Sequence, residues 1–220
     1  MSKVNYVDIN ALKLGMDDGT VHELWPHEYW ILCPTRTKWV PEDGFIELLD
    51  FGMLRHNAKK ACGLVLAQED LLLGIETKSM KFENAKLAED LLEKLRQEEF
   101  PCLPSRLRCH FLNYEKSQAE QRAFSWGWIH RSLERCYIVQ SGGYFHHADV
   151  ALFEQLTCDP ENFDLARSYW QTFFPRADEF YRLEVLANSC LYFPDWRSFP
   201  EVEEASLASW TAVYGGNIRG

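Results

Sequence analysis

The stretch from Pro101 to Phe124 constrains the fold most, because its character changes from helix to strand and back to helix within a short span. Pro101 and Pro104 end the charged helix that is predicted upstream, since proline cannot continue a helix and pushes the preceding residue toward extended geometry. Apolar residues then alternate from Ser105 to Asn113, which predicts a strand, whereas Lys116 to Phe124 has helical spacing. The stretch therefore predicts a strand between two helices.

The predicted strand has one apolar and one polar face. Alternation places Leu107, Cys109 and Phe111 on the first face and Arg106, Arg108 and His110 on the second. Ser105 and Arg106 stand at the mouth of this strand, where side chains and backbone ends can meet a ligand. We therefore expect a candidate site at this point.

The rest of the chain contains helical and extended segments that do not alternate regularly. Helices are predicted from Phe82 to Glu99, from Val150 to Leu156, from Phe163 to Phe174, and from after Pro200 up to Gly215-Gly216. Strands are predicted from Val4 to Ile9, Tyr29 to Leu32, Arg135 to Val139, Tyr144 to His147, Phe180 to Ala187 and Cys190 to Phe193. This order predicts an α+β fold with a largely antiparallel or mixed sheet. No repeat, low-complexity tract or linker interrupts the chain, so a single domain over residues 1–220 is predicted.

Turn and cap residues predict how some of these segments connect. A turn is predicted around Gly15 to Gly19, after the first strand. Gly142 and Gly143 predict a tight turn that joins the strands on either side of it into a hairpin. Asp149 is predicted to cap the helix that follows it, because its carboxylate can accept the free amide protons of the first turn.

Composition indicates a packed protein with an acidic surface. Hydrophobic residues make up 46% of the 220 residues and aromatic residues 14%, which excludes disorder as a description of the whole chain. The formal net charge of −10 argues against nonspecific binding to nucleic acid and to anionic membranes, since both reward a basic surface. A local basic site stays compatible with this charge.

The N-terminus and the cysteines point to a reducing compartment. MSKVNYVDIN lacks the apolar core of a signal peptide, and no apolar run is long enough to span a bilayer. The seven cysteines are odd in number, dispersed and without a CxxC pair, which is typical of reduced thiols in a core. A cytoplasmic location without membrane association is therefore predicted, and export by a signal-free route stays open.

Motifs of several common enzyme classes are absent from the sequence. It contains no Walker-type phosphate loop, no GxGxxG, no GxSxG and no HExxH. His146 and His147 are adjacent, and neighbouring side chains on a strand point to opposite faces. Because no other cluster has ligand spacing, no metal site is predicted.

Glu184 is a carboxylate in the middle of an otherwise apolar strand, FYRLEVLAN. Arg182 lies one strand period away, so the two side chains are predicted to share a face. Two interpretations follow from the residues alone. The first is an exposed salt bridge on a solvated sheet face, and the second is a functional carboxylate.

The order of these motifs resembles an ADP-ribosyltransferase-like family of bacterial proteins, most of which have no assigned activity. The resemblance covers roughly residues 82–193 and includes one fairly distinctive motif, PSRL. It is carried by five segments, EEFPCLPSRLRCHFL, QAEQRAF, GGYFHHADVALFEQL, DLARSYWQ and FYRLEVLANSCLYF. The resemblance implies two small, mostly antiparallel or mixed sheets with flanking helices, which form a cleft that binds NAD without a Rossmann fingerprint.

The resemblance also implies roles for individual residues. Glu184 would be the catalytic carboxylate, which accepts a hydrogen bond from the ribose 2′-hydroxyl and stabilises the positive charge that develops on the sugar. Ser105 and Arg106 would line the NAD cleft, with Arg106 suited to the pyrophosphate. Phe111, or its neighbour His110, would place a ring against nicotinamide. NAD would serve as a substrate, and the ADP-ribosyl group would pass to a macromolecular acceptor that the sequence does not identify.

Three departures from the family pattern support a second hypothesis. Members that modify arginine usually carry Glu or Gln where this chain has Arg182, and Arg108-Cys109-His110 stands in place of a Ser-Thr-Ser triplet. The first strand also lacks the expected arginine. The alternative is therefore a catalytically inactive interaction protein on the same scaffold.

Overall fold

A computed structural model describes residues 4–34, 58–65, 83–125 and 131–199 of the chain. The chain divides into two compact units. The first unit is drawn from Met1–Leu66, Glu115–Ser141 and Cys190–Gly220, and the second from Ala67–Tyr114 and Gly142–Ser189. The prediction of a single domain over residues 1–220 stays a prediction.

The described residues of the first unit form two antiparallel sheets. Its strands are β1 (Val4–Asp8), β2 (Lys13–Met16), β3 (Val21–Glu23), β4 (Tyr29–Pro34), β5 (Leu64–Val65), β7 (Arg131–Ile138) and β10 (Leu191–Tyr192). One sheet has the order β1-β2-β3 and the other has the order β4-β7-β10-β5. Leu14, Leu24 and Tyr137 belong to the buried cluster of this unit. The helix α2 (Lys116–Ser125) also belongs to it.

In the described residues of the second unit, three helices pack on one three-stranded antiparallel sheet. The strands are β6 (His110–Leu112), β8 (Tyr144–Asp149) and β9 (Leu183–Asn188), and β9 lies between the other two. The helices are α1 (Glu83–Glu99), α3 (Val150–Cys158) and α4 (Phe163–Trp170). Their apolar faces bury a common core with the sheet, whose members include Leu92, Leu95, Leu156, Trp170 and Leu186. Burial of this apolar area is the main force that holds the layers together.

These elements establish an α+β protein with small antiparallel sheets, as predicted from the sequence. The described residues form three sheets, whereas two were predicted. The difference arises at the N-terminus, where Leu14 and Gly15 lie in β2 and not in a turn, so that β1, β2 and β3 form a sheet of their own. None of the helices in the described part has the length and hydropathy of a membrane-spanning segment.

The strand predicted from Ser105 to Asn113 is wrong in its first half. Arg106–Arg108 form a 3-10 helix, and only His110–Leu112 are extended. Ser105 explains the difference, because its hydroxyl accepts a hydrogen bond from the backbone amide of Leu107 and caps the turn. The predicted faces are also wrong, since Arg106 and His110 are buried whereas Phe111 is 38% exposed.

The strand predicted from Phe180 to Ala187 begins later than expected. Ala177–Arg182 form a 3-10 helix, and β9 covers Leu183–Asn188. Arg182 and Glu184 therefore do not share a strand face, and the predicted pair between them is wrong. Arg182 instead forms ion pairs with Asp149 and Glu179.

The predicted hairpin around Gly142 and Gly143 is also wrong. The strand before the turn, β7, pairs with β4 and β10, whereas the strand after it, β8, pairs with β9. Gly142 does adopt a left-handed backbone with φ of 74°, as a turn glycine commonly does. Pairing of strands that are distant in sequence overrides the local signal.

Other predictions of local structure hold within a few residues. The helix predicted from Phe82 to Glu99 is confirmed as Glu83–Glu99, while the helix predicted to reach Phe174 ends earlier, at Trp170. Asp149 caps α3 by accepting a hydrogen bond from the amide of Ala151, as predicted. The helix predicted after Pro200 lies outside the described residues.

Candidate functional site

The candidate site is centred on Arg106, whose side chain is buried in the second unit with only 6% of the residue exposed. Its Nε donates to both carboxylate oxygens of Glu89, at 3.0 and 2.9 Å. Its Nη1 donates to Oε2 of Glu184 at 2.5 Å and also to the hydroxyl of Tyr169. One guanidinium therefore joins side chains from a helix, a strand and a second helix.

Each of these partners is placed by the element that carries it. Glu89 lies on α1 three residues before Leu92, on the face that packs into the core. Glu184 lies on the central strand β9, opposite Ala148 of β8. Tyr169 lies in the last turn of α4, and its hydroxyl donates to Oε2 of Glu184 at 2.8 Å. We call Glu89, Arg106, Tyr169 and Glu184 the buried polar network.

Aromatic rings enclose the guanidinium of Arg106. The guanidinium carbon lies 4.2 Å from the ring centroid of Phe153, 4.9 Å from that of Phe111 and 5.1 Å from that of Tyr169. A guanidinium stacks well on aromatic faces, because it is planar and weakly hydrated. The rings therefore add to the stabilisation of the buried cation, and Phe111 alone among them is substantially exposed.

Burial and charge shift the pKa values of the network in opposite directions. Burial opposes the charge on Arg106, but the carboxylates of Glu184 and Glu89 outweigh it and raise the pKa of Arg106 well above its ordinary value. Burial raises the pKa of Glu89, against the opposing effect of Arg106. Burial also raises the pKa of the Tyr169 hydroxyl well above its usual range. Arg106 is therefore a permanent cation, and Tyr169 is a permanent hydrogen-bond donor.

Ser105 precedes Arg106 but joins a neighbouring set of contacts. Its hydroxyl donates to Oε2 of Glu93 at 2.8 Å, and Glu93 also pairs with Arg96 at 2.7 Å. Burial acts to raise the pKa of Glu93, but the hydrogen bonds from Arg96 and Ser105 prevail and lower it. Glu93 is thus an ionised acceptor that fixes the start of the 3-10 helix.

The structure brings some of the predicted site residues together and separates others. Arg106 and Glu184 are in direct contact, although they are 78 positions apart in sequence. Phe111 lies opposite Leu186 in the ladder, so its side chain shares a sheet face with Glu184, two residues earlier on β9. His110 lies opposite Ala187, points to the other face and is 1% exposed. The alternative of a solvated salt bridge for Glu184 is wrong, because this residue is 3% exposed.

A comparison with protein families places the chain in a group without an assigned activity. The family model described as "Protein of unknown function (DUF2441)" matches residues 45–191, which is more than half of the chain. The chain belongs to the DUF2441 family. All four residues of the buried polar network lie within the matched region. The search of curated proteins gave no match.

Two members of the network in this DUF2441 protein are missing from the candidate site that the sequence predicts. Glu89 occupies a position that helical periodicity assigns to the core side, beside Ala88 and one turn before Leu92, and a carboxylate there signals a buried partner. The helical spacing from Phe163 to Phe174 places Tyr169 on the core side, but the pattern does not show what its hydroxyl contacts. Both contacts depend on how the helices pack, which the local sequence does not specify.

Metal coordination has no support at this site. Among the residues that the structure describes, no three side chains of the His, Cys, Asp and Glu types form a group that could hold a metal ion. In place of a metal site, the buried polar network offers a positioned carboxylate. It presents a carboxylate that a cation and a hydroxyl hold in one place, beside a partly exposed aromatic ring.

Proposed function

We propose that this DUF2441 protein is an ADP-ribosyltransferase that uses NAD to modify a macromolecular acceptor, with Glu184 as its catalytic carboxylate. The contact between Arg106 and Glu184 carries the proposal. The family resemblance requires these two residues to share one site. Because they are 78 positions apart in sequence, a chance contact between them is not expected. The α+β fold with small antiparallel sheets is compatible with an ADP-ribosyltransferase-like fold, which is part of the proposal.

In the proposed reaction, Glu184 stabilises a charge that exists only in the transition state. The bond between nicotinamide and C1′ of the ribose breaks, and its electron pair leaves with nicotinamide. Positive charge then develops on the sugar, and the Glu184 carboxylate stabilises it while it accepts a hydrogen bond from the 2′-hydroxyl. A nucleophilic atom of the acceptor forms the new bond to C1′ and loses a proton.

Arg106 receives a different role in this proposal from the one that the resemblance implies. Its Nε and Nη1 atoms donate to Glu89, Glu184 and Tyr169, so a bidentate pair with a pyrophosphate that used either of these nitrogens would cost buried hydrogen bonds. Breaking a buried ion pair is expensive. We therefore propose that Arg106 holds Glu184 ionised, and that other groups contact the pyrophosphate.

Phe111 is the better of the two candidates for contact with nicotinamide. It is partly exposed, lies beside Arg106 and shares the sheet face of Glu184. His110 is buried on the opposite face of the same strand. An exposed ring on the face of the carboxylate can stack on the leaving group, whereas a ring on the other face cannot.

Release of nicotinamide from NAD by the purified intact chain tests the proposal. Glu184→Gln keeps the shape of the side chain but removes its charge, and a loss of about 10²–10³ in rate is expected by analogy with other electrostatic contacts to a transition state. Glu98→Gln, at an exposed position of α1, is the matched control and should leave the rate unchanged. NAD should also raise the melting temperature, because a ligand that binds the folded state stabilises it. Equal rates in Glu184→Gln and the wild type would remove Glu184 from the mechanism.

A second candidate function is an inactive interaction protein on the same scaffold. The observation that favours it is the deep burial of Glu184 and Arg106, since a buried ion-pair network can serve packing alone. Under this candidate, NAD neither is consumed nor raises the melting temperature. A macromolecular partner captured by the intact chain would then still be captured by the Glu184→Gln variant.

A further inference from the structure

We propose that Tyr169 is a positioning residue for Glu184, and that its hydroxyl fixes the orientation and the ionised state of the carboxylate. The inference rests on the proposed function, because it assigns Tyr169 a part in the reaction of Glu184. It goes beyond the resemblance, which implies no role for this tyrosine. The hydroxyl of Tyr169 lies 2.8 Å from Oε2 of Glu184.

The chemistry of the three side chains fixes the direction of each hydrogen bond. A guanidinium can only donate and an ionised carboxylate can only accept, whereas a hydroxyl does both. The hydroxyl oxygen of Tyr169 accepts from Nη1 of Arg106, and its proton therefore points to Oε2 of Glu184. Arg106 also donates to the same oxygen. Two donors from two different elements thus converge on one carboxylate oxygen.

The position of Tyr169 is itself held by several contacts. Asn162 caps the start of α4 by accepting a hydrogen bond from the amide of Leu165 at 3.1 Å. The indole nitrogen of Trp170, next to Tyr169, donates to the backbone carbonyl of Leu92 at 2.9 Å. The tyrosine is fully buried, so its ring has little freedom to turn away from Glu184.

Charged and titratable groups from several elements surround Glu184. Among the described residues they include Glu89 of α1, Arg106 of the 3-10 helix, Cys109 and Tyr169 of α4, and His146 of β8 shares the sheet face of Glu184. Arg106 and Tyr169 favour the ionised carboxylate, and Glu89 opposes it by repulsion. Burial keeps the pKa of both the Cys109 thiol and the Tyr169 hydroxyl high, so neither changes its charge near neutral pH.

Tyr169→Phe removes this one donor and keeps the aromatic ring. A hydrogen bond to a charged group is worth enough to move the pKa of its acceptor by about one to two units, so the acid limb of the pH profile for nicotinamide release should move upward by that amount. A structural role alone would lower the rate or the stability without moving the limb. Tyr137→Phe is the matched control, because it deletes a tyrosine–carboxylate hydrogen bond to Glu28 in the other unit.

A measurement without turnover separates this inference from the proposed function. Carboxyl carbons of glutamate are labelled with carbon-13 in the intact chain, and the Glu184 signal is assigned by its loss in the Glu184→Gln variant. We expect the titration midpoint of Glu184 to rise by about one to two units in Tyr169→Phe and to stay unchanged in Tyr137→Phe. An unchanged midpoint in Tyr169→Phe overturns the inference, whether or not the wild type consumes NAD. A wild type that releases no nicotinamide overturns the proposed function, while a raised midpoint still supports the contact.

Discussion

In the interior of the second unit, Arg106 is the cation that two buried carboxylates, Glu89 and Glu184, share. Exchange of such a network for apolar side chains of similar volume can be neutral, whereas removal of one partner leaves an uncompensated charge. Replacement of the whole network measures its net contribution to stability, whereas removal of one partner measures the destabilisation by a buried charge without its partner.

Arg106→Met should lower the free energy of unfolding by about 3–5 kcal/mol, because it leaves Glu89 and Glu184 buried without their cation. Urea denaturation measures this loss. Arg167→Met is the control, since it removes an arginine whose pair with Glu99 is exposed, and it should change stability little. If both variants unfold at the same urea concentration, the buried ion pairs do not form as described.

His146 is a second single residue whose environment leads to a testable prediction, here for the pH dependence of stability. Burial lowers its pKa to about 4, and the neighbouring His147 acts in the same direction. The unfolded chain therefore binds more protons than the folded chain between about pH 4 and 6.5, so stability should fall as the pH is lowered through that window. The expected loss is about 1–3 kcal/mol.

His146→Asn should remove this part of the pH dependence. The Nε2 atom of His146 is buried and has no hydrogen-bond partner among the described residues, and asparagine replaces the ring with a polar side chain that does not titrate. The raised pKa of Glu89 has the opposite effect, stabilising the fold as pH falls, and is common to both proteins. The comparison is the difference in unfolding free energy between wild type and variant at pH 4 and pH 7. A difference that does not change with pH would show that His146 titrates normally.

The sequence predicts two residues of the buried polar network and misses the other two. An acid within an apolar strand and an arginine after two prolines single out Glu184 and Arg106 without any structure. Their contact with Glu89 and Tyr169 does not follow from the local sequence, because it depends on the packing of α1 and α4 on the sheet. The sequence likewise favours a pair between Arg182 and Glu184, which a 3-10 helix breaks.

At the scale of the element, Asp149 links a strand end, a helix start and an ion pair. Its Oδ1 accepts from the amide of Ala151 at 3.0 Å and from Nε of Arg182 at 3.0 Å. The same carboxylate therefore starts α3 and anchors the 3-10 helix that precedes β9. Asparagine can replace the first function but not the second, since it caps helices as well as aspartate does but carries no charge.

Asp149→Ala should therefore be less stable than Asp149→Asn by about 1 kcal/mol, the usual worth of an N-cap. Both variants should be less stable than the wild type, because both lose the ion pair with Arg182. Urea denaturation of the three proteins gives the two differences. Equal stabilities for the two variants would mean that the cap contributes nothing to α3.

Elements with strong periodicity or cap signals are predictable from this sequence, and several short strands are also predicted to within a few residues. The spacing of Leu87, Leu91 and Leu95, beside Ala88 and Leu92, predicts α1 to within one residue, although Leu87 itself is exposed. Two strands begin later than predicted, because a local hydrogen bond, such as that of the Ser105 hydroxyl, can turn an alternating segment into a 3-10 helix. The pairing of β9 with both β6 and β8 joins distant segments, which no local turn signal indicates.

At the scale of the whole molecule, the chain alternates between its two units. It leaves one unit for the other after Leu66, Tyr114, Ser141 and Ser189, so neither unit is a continuous segment. The buried polar network lies entirely within the second unit, and the region matched by the DUF2441 family includes segments of both. Tests of function therefore require the intact chain.

The acidic character of the whole chain affects which ligands it can bind. With a net charge of −10, a free polyanion should bind only where a local cation is available. Arg106 does not serve this purpose in the proposal, because its Nε and Nη1 atoms donate to Glu89, Glu184 and Tyr169. This is why NAD consumption, more than affinity for NAD, decides the function.

The rate of nicotinamide release from NAD, compared between the intact wild type and Glu184→Gln, tests the central claim most directly. If Glu184 is the catalytic carboxylate, the wild type releases nicotinamide and the variant does so about 10²–10³ times more slowly, with both proteins folded. Release at equal rates, or no release by the folded wild type, would contradict it.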